Sequence, residues 1–181
     1  MAPEILAAMI GLAVLAPAVW LYDRLVADRN LVRQGFADID VQLKRRADLV
    51  PPLVEAVRAY AAHEKAVLTS VAEVRAAAIA EPQPAQRFSH ERALGESLDK
   101  LVLLQESYPA LKADANFRDL SRKLVEVEDS LQYARRFYNG AVQQYLTRIE
   151  SFPDIVLAKV FGFRAMPFFD TVDRGPVRVL L

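Results

Sequence analysis

The feature that most restricts the fold of this chain is a regular apolar stripe between Phe117 and Ile149. Apolar residues recur there at steps of three and four over nearly five heptads. This spacing places them on one face of one long helix, as in helical bundles and coiled coils. Asn116 is the predicted N-cap of this helix and Phe152-Pro153 its predicted end. The inward residues are predicted to be Phe117, Leu120, Leu124, Val127, Leu131, Ala134, Tyr138, Ala141, Tyr145 and Ile149.

Three further helices are predicted before this one, over residues 25–42, 53–78 and 86–108. Pro51-Pro52 marks either the start of a new helix or a kink in a long one, because proline fits only the first turn of a helix without disturbance. Only six of the 181 residues are glycine, and 53% are apolar, which is typical of helices and leaves few turns for a sheet. The predicted fold is all-α, an N-terminal transmembrane helix continuing into an antiparallel up-and-down bundle of about four long helices.

The transmembrane helix is predicted from residues 5–22, which contain no charged side chain. A helix of this length spans about 27 Å, close to the thickness of a hydrocarbon core. Trp20 and Tyr22 lie at its end, where an aromatic belt is expected. A cleaved signal peptide is the first alternative, but no basic region precedes the run. A buried core helix is the second, and it would not need 18 residues without charge.

The basic residues flanking this run predict its orientation. Arg24, Arg29 and Arg33 follow it, whereas only Glu4 precedes it. The positive-inside rule therefore places the rest of the chain in the cytoplasm. The predicted domains are residues 1–22 (anchor), 23–153 (bundle) and 154–181 (an extension with a short helix at 155–161). The run VRVLL at 177–181 could pair as a strand or bind in an apolar groove, and the sequence leaves both open.

Composition excludes several classes of function. The net charge is zero, which is unsuited to the phosphate neutralisation that nucleic-acid binding requires. There is no cysteine, and the two histidines, His63 and His90, lack the spacing of a metal site. Glycine-rich phosphate loops and a nucleophile elbow are also absent from the sequence. We therefore expect no enzymatic activity, no cofactor, no metal and no small-molecule substrate.

The run Lys44-Arg45-Arg46 has two interpretations. It could contact lipid headgroups or nucleic acid, or it could be a solvated helix face balanced by Asp38, Asp40 and Asp48, with Asp40 and Lys44 paired at i, i+4. The second is favoured, because a straight helix would place Lys44 about 33 Å from the membrane edge. Further along, Tyr133, Phe137, Tyr138 and Tyr145 are predicted to be core residues. The tyrosine hydroxyl groups there need partners such as Asn139 or Gln143.

Several long motifs resemble those of the LemA family. The run IDVQLKRRADLVPPLVEAVRAYAAHE (39–64) carries the likeness, followed in order by ESYPALKADANF (106–117), ARRFYNGAVQQYL (134–146) and SFP (151–153). The chain departs from the family pattern at Gly35-Phe36, Pro52 and Leu146. The signature positions are Asp40, Gln42, Lys44, Arg45, Arg46, Asp48, Pro51, Tyr60, His63, Glu64, Tyr108, Pro109, Ala134, Tyr138, Asn139, Tyr145, Phe152 and Pro153.

The resemblance implies an N-terminal membrane helix, a helical bundle and no established catalytic residue. It suggests a single-pass protein of a bacterial inner membrane with most of the chain in the cytoplasm, or alternatively facing the periplasm. The favoured function is a membrane-anchored scaffold that binds other proteins or itself. The alternatives are a membrane-shaping protein that assembles on lipid surfaces, as in a magnetosome branch that resembles the family, and an accessory to a membrane-associated peptidase.

Overall fold

The computed structural model describes the backbone of residues 2–169; the side chains of residues 2–8, 10, 14, 84 and 85 are not described. This part of the chain is built from helices, so the all-α class is confirmed. The helices are α1 (Ala2–Tyr60), α2 (Lys65–Ala80), α3 (Pro84–Leu103), α4 (Pro109–Ala113), α5 (Ala115–Glu150) and α6 (Asp154–Val160), with a 3-10 turn at Leu104–Glu106. The run at 177–181 lies outside the described residues.

The predicted transmembrane helix at 5–22 falls within α1 but lies partly outside the described side chains. Among the residues that the structure describes, no helix is long and apolar enough to cross a membrane. The transmembrane part of the predicted fold is therefore not supported by the structure.

The chain divides into two compact units, and α1 and α5 contribute residues to both. In the described chain, unit 1 contains residues 2–37 and 136–168, and unit 2 contains residues 38–135 and Phe169. The predicted domain boundaries at residues 22 and 153 stay predictions.

Unit 2 is organised around an aliphatic core to which α1 to α5 all contribute. Leu94, Leu98 and Leu101 on α3 are buried, as their spacing predicts. Burying a side chain of this size stabilises the fold by about 1.5–3 kcal/mol. The core consists of Val50, Leu53, Val54, Val57, Ala61, Leu68, Val71, Leu94, Leu98, Leu101, Leu111, Phe117, Leu120 and Leu124.

Helix α1 continues through Pro51-Pro52, which resolves the two alternatives in favour of one long helix. Proline lacks the N–H group that would donate to the carbonyl four residues earlier, here the carbonyl of Ala47. Arg75 of α2 supplies the missing donor, because its Nε lies 2.7 Å from that oxygen. A hydrogen bond between α1 and α2 thus replaces the one within α1 that proline cannot form.

The predicted helix over 53–78 is wrong as a single element, because α1 ends at Tyr60 and α2 begins at Lys65. Glu64 stands where the apolar stripe skips a position, and a continuous helix would aim its carboxylate into the core. In the turn, the Glu64 N–H donates to the Ala61 carbonyl at 3.1 Å. The Tyr108 hydroxyl donates to Glu64 Oε1 at 2.9 Å, so the carboxylate keeps a polar partner.

The N-cap of α5 is Asp114 and not Asn116. The Phe117 N–H donates to Asp114 Oδ1 at 2.7 Å, the usual geometry for a cap and the third helical residue. The Tyr60 hydroxyl donates to Asp114 Oδ2 at 3.0 Å and joins the end of α1 to the start of α5. The predicted inward stripe of α5 is otherwise confirmed: Val127, Ala134 and Ile149 are half-buried and its other members are buried.

In unit 1, α1 and α5 approach closely at Gly35. A Cβ atom there would lie 3.1 Å from the Cα of Tyr138, so the small residue permits the contact. Below it the buried Asp28 accepts a hydrogen bond from Gln144 Nε2 at 2.7 Å and forms an ion pair with Arg148. Leu25 and Val32, three residues before and four residues after Asp28 on α1, are buried.

Replacing Arg75 with methionine should leave the Ala47 carbonyl without a donor. We expect a loss of about 1–3 kcal/mol in the free energy of unfolding, the usual penalty for an unsatisfied buried acceptor. In a Pro51→Ala background the loss should be smaller, since residue 51 then has an N–H group. Denaturant unfolding of the four proteins measures this, and equal losses in both backgrounds would contradict the account.

The Asp114 cap of α5 predicts that the stability of the fold depends on pH. The Phe117 N–H group, followed by the Tyr60 hydroxyl, holds the pKa of Asp114 below its ordinary value. A lowered pKa contributes stability that is present above the unfolded-state value and is lost as the pH falls through the folded-state value. Asp114→Asn keeps a neutral cap at every pH. The melting temperature of the native chain relative to this variant should therefore fall between about pH 5 and about pH 3; a constant difference would oppose the assignment.

Candidate functional site

The most distinctive polar feature of unit 2 is an ion network around Arg46, which is only 1% exposed. Its Nη2 donates to Glu91 Oε2 at 2.6 Å and to the Glu91 carbonyl at 2.7 Å. Its Nη1 donates to Glu128 Oε1 at 2.8 Å. One guanidinium therefore joins α1, α3 and α5, and its planar shape suits this divergent set of acceptors.

Burial determines how much each contact matters. Glu91 is 2% exposed, whereas the side chain of Glu128 is 35% exposed. Removing one partner of a buried ion pair leaves an uncompensated charge, which is far more costly than losing an exposed pair. The Arg46–Glu91 contact is thus the critical half of the network, and Glu128 connects it to the surface.

Glu128 also lines a groove between α3 and α5, with a volume of about 650 Å³. Its floor is mostly apolar, and Leu103 and Val125 on its walls are 62% and 61% exposed. Side chains of this kind favour the binding of an apolar segment over a polar substrate. The lining residues are Gly95, Leu98, Asp99, Val102, Leu103, Gln105, Ser121, Arg122, Leu124, Val125, Glu128 and Asp129.

The three basic residues of the signature run have different environments. Lys44 and Arg45 are exposed, but Arg46 is in the core. The interpretation of the whole run as a solvated face is therefore wrong for Arg46. Asp40 forms an ion pair with Arg87 of α3 at 2.6 Å, a long-range partner in place of the expected Lys44.

Tyr60 and Tyr108 each donate to a carboxylate and thereby hold the turns of unit 2. The hydrogen bond to Asp114 raises the pKa of Tyr60, and the hydrogen bond to Glu64 raises the pKa of Tyr108. Both contacts need the protonated phenol. They are therefore present below the ordinary tyrosine pKa and are lost as the pH rises through the raised one. His63, beside Glu64, is exposed.

Tyr138 and Tyr145 are buried in unit 1, as predicted. Their hydroxyl groups donate to the backbone carbonyls of Pro167 at 2.7 Å and Arg164 at 3.0 Å, which the sequence does not indicate. Burial raises the pKa of both; for Tyr145 the charges of Arg29 and Arg33 partly oppose this. Gln143, proposed as a hydroxyl partner, donates instead to Thr147 at 3.3 Å. Tyr133 and Phe137 are exposed, contrary to their predicted place in the core.

The remaining signature positions are dispersed along the described chain. Asp48 and Pro51 are exposed, Pro109 begins α4, and Phe152 is 84% exposed beside the cis peptide bond to Pro153. Gln42, Ala134 and Asn139 are half-buried. Among the described residues, no group of three or more histidine, aspartate or glutamate side chains could hold a metal ion.

Sequence reasoning missed Glu91, Glu128 and Arg75. A signal for Glu91 was present, because it stands three residues before Leu94 and three after Phe88, on the inward stripe of α3. An acidic residue on an apolar stripe indicates a buried cation opposite. Nothing in the pattern around Glu128 or Arg75 distinguishes them from solvated residues.

Neutralising each carboxylate of the network in turn should show how much each contact contributes to the free energy of unfolding. Glu91→Gln should reduce the free energy of unfolding by about 3–5 kcal/mol, because Arg46 then loses its buried counter-charge. Glu128→Gln should cost about 1 kcal/mol or less, since that carboxylate is partly solvated. Urea unfolding monitored by circular dichroism compares the two variants. Equal costs would contradict the ranking by burial.

Comparison with known proteins finds a family model that matches most of the chain. The family model described as LemA family matches residues 35–179. This match includes the Arg46 network and the α3–α5 groove.

Two curated relatives are the magnetosome proteins MamQ 1 and MamQ 2 of Paramagnetospirillum magneticum, each 28% identical over 86 residues. Magnetosome protein MamQ of Magnetospirillum gryphiswaldense is 24% identical over 86 residues. These matches cover 48% of this chain but only 32% of each relative, so the chain spans about a third of their length. Because the family model matches well over half of the sequence, the chain belongs to the LemA family.

Proposed function

We propose that this protein is a membrane-anchored helical scaffold that binds other proteins or copies of itself and has no catalytic activity. The observation that carries the proposal is the change in environment along α1. The large apolar side chains described before residue 21 are exposed, whereas Leu25, Val32 and Ile39 further along the same helix are buried.

The large apolar side chains described before residue 21, here called the exposed group, are each 58–69% exposed. By contrast, Leu25, Val32 and Ile39 further along α1 are 0–1% exposed. Leaving so much apolar surface in water is unfavourable by about 25 cal/mol per Å², so this part of α1 needs an apolar environment. The group consists of Met9, Leu12, Leu15, Val19 and Trp20.

The residues that follow suit a membrane boundary. The Arg24 guanidinium lies 4.5 Å from the centre of the Trp20 ring, a cation–π contact. Tryptophan and arginine are both favoured at the interface between lipid and water. The basic residues after Trp20 support a cytoplasmic location for the rest of the chain, with the periplasm as the alternative.

A structural role for the charged residues supports a scaffold and not an enzyme. Arg46 and Asp28 are both buried, and both form ion pairs that join helices far apart in sequence. Charged side chains in buried ion pairs of this kind fix the packing of the helices and are not exposed for contact with a substrate. Protein partners or self-association remain part of the proposal and can be tested by mild cross-linking followed by mass spectrometry.

The membrane-anchor proposal can be tested by introducing two charged side chains into the exposed group. The double variant Leu12→Arg, Leu15→Arg should raise the ratio of soluble to membrane-bound full chain at least tenfold. The reason is that an arginine at mid-membrane costs about 2.5–3.5 kcal/mol. The matched control carries Ile79→Arg and Val156→Arg, at apolar positions that are also exposed. Fractionation after carbonate extraction measures the result. If both proteins stay in the membrane, or both leave it, the anchor proposal fails.

A second candidate, assembly on a lipid surface through basic side chains, is favoured by the exposure of Lys44 and Arg45. Lys44→Gln with Arg45→Gln separates it from the first. An unchanged membrane fraction supports the anchor alone. A large loss of binding to anionic vesicles would support the lipid-surface role.

Orientation is accessible because the chain has no cysteine. Gln83, exposed between α2 and α3, can be changed to cysteine as a single label. A membrane-impermeant maleimide should react only after lysis if the bundle is cytoplasmic, whereas a permeant maleimide should react with intact cells. Labelling of intact cells by the impermeant reagent would place the bundle outside.

A further inference from the structure

The last described residue, Phe169, lies against α3 and α5 in unit 2. It is 1% exposed. Its ring lies 4.0 Å from the ring of Phe88 on α3, centre to centre, and 4.5 Å from the Arg135 guanidinium on α5. The last described point of the chain therefore contacts the same two helices that line the groove.

The α3–α5 groove continues from this point along the same helix faces. Residues seven positions apart lie nearly above one another on a helix, with a drift of about 20°. The contacts of Phe169 and the lining of the groove form such a repeat on both helices. The positions are Phe88, Gly95 and Val102 on α3 and Arg135, Glu128 and Ser121 on α5.

The groove has an apolar floor and an acidic edge. Leu98 and Val102 lie on the α3 side, and Val125 on the α5 side. Its charged lining residues are Asp99, Arg122, Glu128 and Asp129, a net charge of −2. An occupant should therefore combine apolar side chains with positive charge.

Residues 174–181, RGPVRVLL, have this chemistry. Arg174 and Arg178 are the charged side chains of this stretch, and both are positive. In an extended chain successive side chains alternate, so Val177, Val179 and Leu181 would share one face while Arg178 lies on the other. Proline at 176 favours an extended residue before it.

We infer that residues 174–181 of this chain bind in the α3–α5 groove of the same molecule. Val177, Val179 and Leu181 contact the apolar floor. Arg178 lies on the opposite face, and its long side chain extends over the rim to Asp99 on α3 or Asp129 on α5. The bound segment covers Leu103 and Val125. This inference concerns unit 2 alone and does not depend on the membrane proposal.

The lengths agree with this arrangement. Leu103 lies 15 positions beyond Phe88 on α3, or about 22 Å along the helix, and Gly95 lies about 10 Å along it. Val177 follows Phe169 by eight residues, which reach up to about 26 Å when extended. An extended segment can therefore reach the far end of the groove. Its attachment at Phe169 also gives it a high effective concentration compared with a free partner.

Engineered disulfide formation in the full chain tests the inference. The test protein carries Val125→Cys in the groove and Val179→Cys in the segment. The matched control carries Thr69→Cys with Val179→Cys, because Thr69 is an exposed residue that lines a different groove of unit 2, of about 420 Å³. Mild oxidation at low protein concentration, followed by non-reducing electrophoresis and peptide mapping, measures the rate within one chain.

We expect the disulfide within one chain to form at least tenfold faster in the test protein than in the control, and Arg178→Glu to slow it. Equal rates would overturn the inference. Rapid formation between chains at the same site would also overturn it and would identify a second copy as the occupant.

A second measurement needs no cysteine. Removing residues 172–181 should increase amide hydrogen exchange at residues 95–103 and 121–129, which line the groove, and leave α2 unchanged. Unchanged exchange along the groove would contradict the inference, whatever the disulfide rates.

Discussion

The buried guanidinium of Arg46 is the interaction on which the arrangement of unit 2 depends. Moving this charge out of water carries a penalty of several kcal/mol, and only well-placed acceptors offset it. Glu91 supplies two of them, a carboxylate oxygen and its own carbonyl, and Glu128 supplies a third. Because α1, α3 and α5 must all be in register for these contacts, a helix displaced by one turn would leave a charge buried without a partner.

The same principle explains how α1 continues through Pro51-Pro52. The Ala47 carbonyl, which Pro51 leaves without a donor, accepts a hydrogen bond from Arg75. A hydrogen bond between α1 and α2 therefore replaces the one missing within α1. The turn at Glu64 and the cap at Asp114 work similarly, each with a tyrosine hydroxyl as donor. The apolar core provides most of the stabilisation, and these few polar contacts fix which helix faces meet.

The sequence predicted the elements that depend on periodicity. The stripe from Phe117 to Ile149 required a single helix, and α5 is one; the spacing of Leu94, Leu98 and Leu101 correctly identified the inward face of α3. The break after Tyr60 was missed because its signal is a single charged residue on an apolar stripe. The role of Arg46 was missed because adjacent basic residues look alike until the partners Glu91 and Glu128, 45 and 82 positions away, are known. Long-range polar pairs carry no local pattern.

The central claim, that Arg46 and Glu91 form a coupled pair that orders the helices of unit 2, is tested most directly by a double-mutant cycle. The variants are Arg46→Met, Glu91→Leu and the two combined, and the quantity is the free energy of unfolding in urea. The account predicts that the combined variant is less destabilised than the sum of the single variants, by about 2 kcal/mol or more. Additive losses would show that the two side chains act independently and would contradict the account.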